Sequence, residues 1–121
     1  MITSRMSHLQ KKFSGAADFR LVSFSVDPDH DSPAVLRAYA DRFDADRERW
    51  WFLTGSLREV RRVLIDGFRI PIQAPPRGTD QVLHSTRLVL VNRDGLVLNQ
   101  YNGMKPRDIL RLVKDLERLL P

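Results

Sequence analysis

The chain has 121 residues, of which 42% are apolar and 29% are charged. These values are typical of one globular domain rather than of a disordered chain. The absence of cysteine excludes disulfides, thiol nucleophiles and thiolate metal ligands within these residues. The net charge of +5 comes mainly from arginines that are scattered among aspartates, and no nucleic-acid-binding motif fits, so no nucleic-acid partner is predicted.

The first half of the chain predicts two helices, each followed by a strand. Residues 2–13 place apolar side chains three and four positions apart, as on one face of a helix. Residues 20–26 alternate apolar and polar side chains, which is typical of a strand. Ser32 and Pro33 suit the N-cap and the first position of the next helix. Residues 50–53 form a short apolar run that predicts a buried strand.

The next segments predict a third helix, a loop and a hairpin. Ser56 begins a capping box, and Gly67 is expected as the C′ residue that ends the helix. Residues 71–82 contain three prolines and predict an irregular loop. Residues 86–91 and 96–101 flank the sequence Asn-Arg-Asp-Gly, which predicts a β-hairpin because Asp-Gly readily adopts the positive φ of a tight turn.

The last helix is predicted to begin at Pro106. Its apolar seam comprises Ile109, Val113, Leu116 and Leu120. The resulting order α-β-α-β-α-loop-β-β-α predicts an α/β sandwich with a partly parallel sheet, and the ββα ending suggests a thioredoxin-like fold.

Two short motifs carry candidate functional side chains. The acidic sequence at 27–31 begins like a calcium loop, but Ser32 and Ala38 stand where that loop requires glycine and glutamate. We therefore expect a turn whose carboxylates lie beside a helix N-terminus. His84 lies between a proline-rich loop and a strand, where its ring could reach a ligand; a structural or exposed histidine is the alternative. No serine-hydrolase or phosphate-loop motif is present, and no enzyme is predicted.

Three segments together resemble the Sco/SenC family. They are Val-Asp-Pro-x-x-Asp-x-Pro at 26–33, Leu-Thr-Gly-Ser at 53–56 and His-Ser-Thr at 84–86. The resemblance extends over about residues 3–120 and implies a thioredoxin-like copper chaperone for cytochrome c oxidase assembly. It also implies that the copper-site subunit of the oxidase is the partner and that His84 is a copper ligand.

The same resemblance implies a Cys-x-x-x-Cys pair, preceded by a strand, just before a helix that matches residues 2–13. Neither the pair nor the strand lies within this sequence. We therefore expect one thioredoxin-like domain over residues 1–121, incomplete at its N-terminus and lacking the N-terminal central strand of the α/β sandwich. One imidazole without thiolates should bind copper weakly or not at all, and the family's activity should be lost.

A missing central strand would leave the strands at 20–26 and 86–91 on either side of a gap. We expect a partly opened sheet, with homo-oligomers, strand exchange or aggregation through the exposed edges. By resemblance the intact protein is anchored in a membrane and faces the periplasm or another extracytoplasmic compartment, although the sequence shows no signal peptide or anchor.

An alternative function is that of a thiol-free, thioredoxin-like module whose basic surface binds an acidic partner protein. Lys105, Arg107 and the turn at Asn102 and Gly103 are candidates for the border of a partner surface.

Overall fold

The computed structural model describes residues 2–25, 27–70 and 86–120, and the elements follow the predicted order. They are α1 (Ile2–Lys12), β1 (Leu21–Phe24), α2 (Pro33–Arg42), β2 (Trp50–Leu53), α3 (Leu57–Arg61), β3 (Arg87–Val91), β4 (Val97–Asn102) and α4 (Pro106–Leu119). A π-helical segment, Arg62–Gly67, continues α3 directly. None of the described helices is long and apolar enough to cross a membrane.

The strands form two separate pairs. β1 and β2 are parallel, with Leu21 opposite Trp50, whereas β3 and β4 form an antiparallel hairpin with Leu88 opposite Tyr101. Within the described ranges, no backbone hydrogen bond joins one pair to the other. The structure thus confirms an α/β sandwich whose sheet is opened.

Two hydrophobic clusters of side chains connect the two strand pairs. The larger hydrophobic cluster contains the buried residues Met6, Leu9, Phe13, Leu21, Trp50, Tyr101, Leu112 and Leu116. In a smaller cluster, Phe24 and Val89 pack against the buried residues Val60, Leu64 and Ile70. Because side chains alternate in direction along a strand, Leu21 and Phe24 point to opposite faces of β1. Helices α1 and α4 therefore pack on one face and α3 on the other.

The helix starts are as predicted, but the end of the third helix is not. Ser32 Oγ caps α2 by accepting from a backbone amide, and Ser56 Oγ does the same for α3. Gly67, expected as the C′ residue, instead lies inside the π-helical segment, and the left-handed residue is Arg69, with φ of 58°. The wider π turns use more residues per turn, so the chain closes two positions later.

The hairpin turn follows the Asp-Gly prediction. Gly95 has φ of 83°, and Asn92 Oδ1 accepts from the Asp94 amide at 3.0 Å. A register shift between Leu90 and Val91 marks a β-bulge beside this turn. A type I turn closed by a left-handed glycine and a bulge is a common hairpin connection.

The predicted burial of β2 is correct for only one of its faces. Trp50 is 2% exposed, whereas Trp51 is 45% and Leu53 is 42% exposed. The smaller hydrophobic cluster explains this difference, because α3 covers Phe24 and Val89 rather than the outer face of β2.

The predicted seam of α4 is shifted slightly around the helix. Leu112 and Leu116 are its buried residues, and Leu112 was absent from the predicted seam. Val113 and Leu120 are partly buried and pack against the larger cluster. The stripe therefore remains apolar, but its centre lies on the side that faces β4.

Candidate functional site

The predicted copper ligand His84 lies outside the described residues, and so do residues 71–82 of the predicted loop. Thr86, two residues after His84, is described. Its carbonyl oxygen accepts a hydrogen bond from the Gly103 amide at 2.7 Å, next to the Arg87–Asn102 pair of the hairpin ladder. The strand that follows His84 is therefore fixed at its first residues.

The start of α1 contacts the same point of the hairpin. Gly103 is buried, and a Cβ atom on it would clash with Ile2 Cδ1 and lie 3.1 Å from the Thr86 carbonyl oxygen. A side chain at this position would require Ile2 to shift, so the glycine lets the first turn of α1 lie close to the hairpin. We call this contact of Ile2, Thr86 and Gly103 the α1–hairpin junction.

The acidic sequence after β1 forms a turn closed by hydrogen bonds. The buried Ser25 hydroxyl donates to Asp31 Oδ2 at 2.7 Å and accepts from the Asp27 amide at 3.1 Å. The Asp31 amide also donates to the Asp27 carbonyl at 2.8 Å. The expected structural turn is thus confirmed, with Ser32 as the helix cap and Asp31 as the residue that holds the turn to β1.

His30 extends this turn into solvent. Its side chain is 74% exposed, and Nδ1 lies 3.0 Å from Asp31 Oδ1. The hydrogen bond to Asp31, followed by the attraction of the same carboxylate, raises the pKa of His30 above its ordinary value of 6.5. The structure thus places a carboxylate beside this exposed histidine.

A second polar group lies between β4 and α4. Tyr101 is 1% exposed, and its hydroxyl donates a hydrogen bond to Asp115 Oδ2. Burial, together with this hydrogen bond, raises the pKa of Tyr101 to about 12. Arg111 lies over the Tyr101 ring, 5.1 Å from its centroid. No sequence motif pointed to this group, although the spacing of Asp108, Arg111 and Asp115 along one side of α4 was a usable signal.

Comparison with known proteins identifies the family of the chain. The SCO1/SenC family model matches residues 1–120. The chain belongs to the SCO1/SenC family. It is 36% identical to the SCO1 protein homolog of Bacillus subtilis over 118 residues, which is 96% of this chain and 61% of that protein. The chain thus spans less than two thirds of the length of this relative.

Two solved structures of the SCO1/SenC family have a similar fold. A lipoprotein from Bacillus anthracis matches with a TM-score of 0.83 and 35% identity, over 98% of this chain and 70% of that one. BsSco, from the Sco family of cytochrome c oxidase assembly proteins, matches with a TM-score of 0.79 and 36% identity, over 96% of this chain and 68% of that one. These matches confirm the predicted thioredoxin-like architecture.

The donor atoms of this SCO1/SenC chain do not fit a copper site built from two thiolates and an imidazole. Cu(I) favours soft sulfur ligands, and the 121 residues contain no cysteine. Among the described residues, no group of three or more histidine, aspartate or glutamate side chains could hold a metal ion.

Proposed function

We propose that this chain acts in cytochrome c oxidase assembly as a copper-handling protein of the Sco type. His84 is the copper ligand that these 121 residues contribute, and the copper-site subunit of the oxidase is the partner. The match to the SCO1/SenC family over residues 1–120 supports the proposal, as does the similarity to BsSco, a member of a family of oxidase assembly proteins.

The α1–hairpin junction is the observation that carries the proposal. The family resemblance requires ligands just before α1 to meet an imidazole just before β3. The first turn of α1 touches Gly103 at the residue that bonds Thr86, and Thr86 follows His84 by two positions. Donors that precede α1 would thus reach the segment that carries His84.

The absence of cysteine limits what these residues do with copper. A single imidazole binds the metal weakly, and thiol–disulfide exchange needs a thiolate. We propose that these residues alone do not deliver copper, and that delivery needs thiolate donors outside them. Membrane anchoring on an extracytoplasmic face and self-association through the opened sheet are part of the same proposal, and the B. anthracis relative is a lipoprotein.

Copper competition measures the role of His84 directly. Cu(I) is titrated into the protein against a colorimetric chelator, with and without a synthetic Cys-x-x-x-Cys peptide. We expect weak binding without the peptide and at least about tenfold tighter ternary binding with it, lost in His84→Ala. His8→Ala, which removes one exposed imidazole from α1, is the matched control and should leave both affinities unchanged.

Two outcomes contradict this expectation. A tight 1:1 complex without the peptide, abolished by His84→Ala, shows that the residues form a copper site unaided. Equal effects of the His84 and His8 substitutions remove His84 from the site.

Oxidase assembly in cells separates the proposal from the binding-module alternative. Bacteria lacking their own Sco protein receive this sequence joined to an N-terminal segment with the Cys-x-x-x-Cys pair and its strand. If His84 carries the function, restored oxidase activity disappears in His84→Ala. A thiol-free module for an acidic partner predicts the same activity with either residue.

A further inference from the structure

The outward side of α4 carries two exposed cations, Arg107 and Lys114. Neither forms an ion pair within the part of the chain that the structure describes. Arg107 and Lys114 lie seven positions apart and therefore share one side of the helix, about 10 Å apart along its axis. Leu110 lies between them, one turn from each.

Leu110 is conspicuous for its exposure. At 64% it is the most exposed large apolar side chain among the described residues. We call Arg107, Leu110 and Lys114 the α4 cationic face. An apolar side chain flanked by cations complements a partner surface that presents carboxylates around an apolar recess. The partner would bury the leucine and pair with the cations, and water offers neither interaction.

The three acidic residues of α4 contact groups other than Arg107 and Lys114. Asp108 accepts the Asn102 amide at 2.7 Å, and Asp115 accepts the Tyr101 hydroxyl. Glu117 pairs with Lys12 of α1 at 3.8 Å. Asp108 and Asp115 also lie 3.8 and 3.9 Å from Arg111 and Arg118. Among the described residues, the carboxylates of α4 thus leave Arg107 and Lys114 without an ion pair.

We propose that the α4 cationic face is the docking surface for an acidic protein segment, with Leu110 inserted between carboxylates that pair with Arg107 and Lys114. The occupant is a protein rather than a nucleic acid, because a buried leucine adds affinity for an apolar recess but none for a phosphate backbone. Docking at this face does not depend on copper binding and is separate from the role proposed for His84.

Fluorescence anisotropy with a synthetic acidic helical peptide tests the surface. The labelled peptide carries glutamates on both sides of a leucine stripe and is titrated with the full chain at two salt concentrations. The double variant Arg107→Glu/Lys114→Glu should weaken binding by at least about tenfold, and Leu110→Ser by about fivefold. Added salt should weaken the wild-type complex and leave the double variant almost unaffected.

Matched variants separate this surface from general basicity. Arg37→Glu/Arg42→Glu on α2 makes the same change in net charge, and Leu96→Ser removes a leucine that is 62% exposed in the hairpin turn. Both should change the affinity by less than about twofold. Circular dichroism of each variant verifies that the fold is retained.

Three results overturn the proposal. Equal losses in the α2 and α4 double variants show that the peptide senses only net charge. An unchanged affinity in Leu110→Ser removes the apolar anchor. Tighter binding of a short duplex DNA than of the peptide, with the same dependence on Arg107 and Lys114, assigns the face to polyanions instead.

Discussion

The backbone groups at the outer edge of β4 and at the free edge of β1 differ in how they are hydrogen-bonded among the described residues. At the outer edge of β4, the Asn102 amide donates to Asp108 at 2.7 Å and the Gln100 amide donates to Asn99 Oδ1 at 2.9 Å. The Gln100 carbonyl accepts from Arg111 at 3.3 Å. Side chains thus cover this edge, which is one way in which proteins protect a strand from pairing with another chain.

The opposite edge of β1 has no such cover among the described residues. The amides of Leu21 and Ser25 donate to the carbonyls of Arg49 and Leu53, on the side of β2, so those of Val22 and Phe24 point away from β2. The hydrogen bonds of the described ranges give these two amides no acceptor. In β3 the ladder to β4 likewise directs the Val89 amide outward.

The difference between the two edges follows from distance along the chain. Every group that covers β4 comes from β4 itself or from the helix that follows it, fewer than fifteen residues away. The edges of β1 and β3 are connected only through side chains in the two hydrophobic clusters. We infer that these clusters hold the strand pairs in place, and among the described residues no strand pairs with the facing edges of β1 and β3.

The largest effect is expected from removing the side chain that connects the pairs. Trp50 is 2% exposed in the cluster that also contains Tyr101. Trp50→Ala should lower the free energy of unfolding by about 3–5 kcal/mol, because a large buried side chain leaves a cavity. Urea denaturation measures the loss. Trp51 is 45% exposed, so the control Trp51→Ala should lower the free energy of unfolding by less than about 1 kcal/mol. Similar losses in the two variants would contradict the assignment of Trp50 to the core.

A smaller loss is expected at the covered edge. Asp108→Ala leaves the Asn102 amide without its acceptor and should cost about 1–2 kcal/mol. Hydrogen exchange at that amide should accelerate, while exchange at the β3–β4 ladder amides changes little. Glu117→Ala removes an exposed carboxylate from the same helix and serves as the control. Unchanged exchange at Asn102 would show that Asp108 does not protect the edge.

Sequence patterns predicted most of the fold because its signals are local. Ser32, Ser56 and Gly95 act within a few residues of the features they determine, and each is found in its predicted role. Arg69 was not predicted as the left-handed residue, because the π-helical turn before it arises from packing of Val60, Leu64 and Ile70 rather than from propensity.

The candidate site was less predictable for the same reason. Its parts come from distant positions, and only folding brings Ile2 beside Thr86 and Gly103. The pair of Tyr101 and Asp115 likewise joins a strand to a helix. The resemblance identified His84 as a ligand, and that assignment stays a prediction that copper titration addresses.

The open edge is expected to govern self-association more than stability. Val22→Lys places a charge on β1, where it should reduce concentration-dependent oligomers because a charged edge opposes strand pairing. Val97→Lys makes the same change on β4, whose edge is covered, and should have little effect. The two side chains are 38% and 41% exposed, so neither change disrupts the core. Sedimentation velocity measures the oligomers; equal behaviour of the variants would remove the distinction between the edges.

The smallest effect is expected in the turn that ends β1. The raised pKa of His30 means that its protonated form is favoured in the folded state by Asp31. The contribution to stability is complete below pH 6.5 and is lost as the pH rises through the folded pKa, which lies above that value. Because His30 is exposed, the loss should be small and should appear mainly as faster exchange of the Ser25 amide.

An NMR titration of the His30 ring should give a midpoint above 6.5 that falls in Asp31→Asn. A midpoint insensitive to that substitution would show that Asp31 does not couple the histidine to the end of β1.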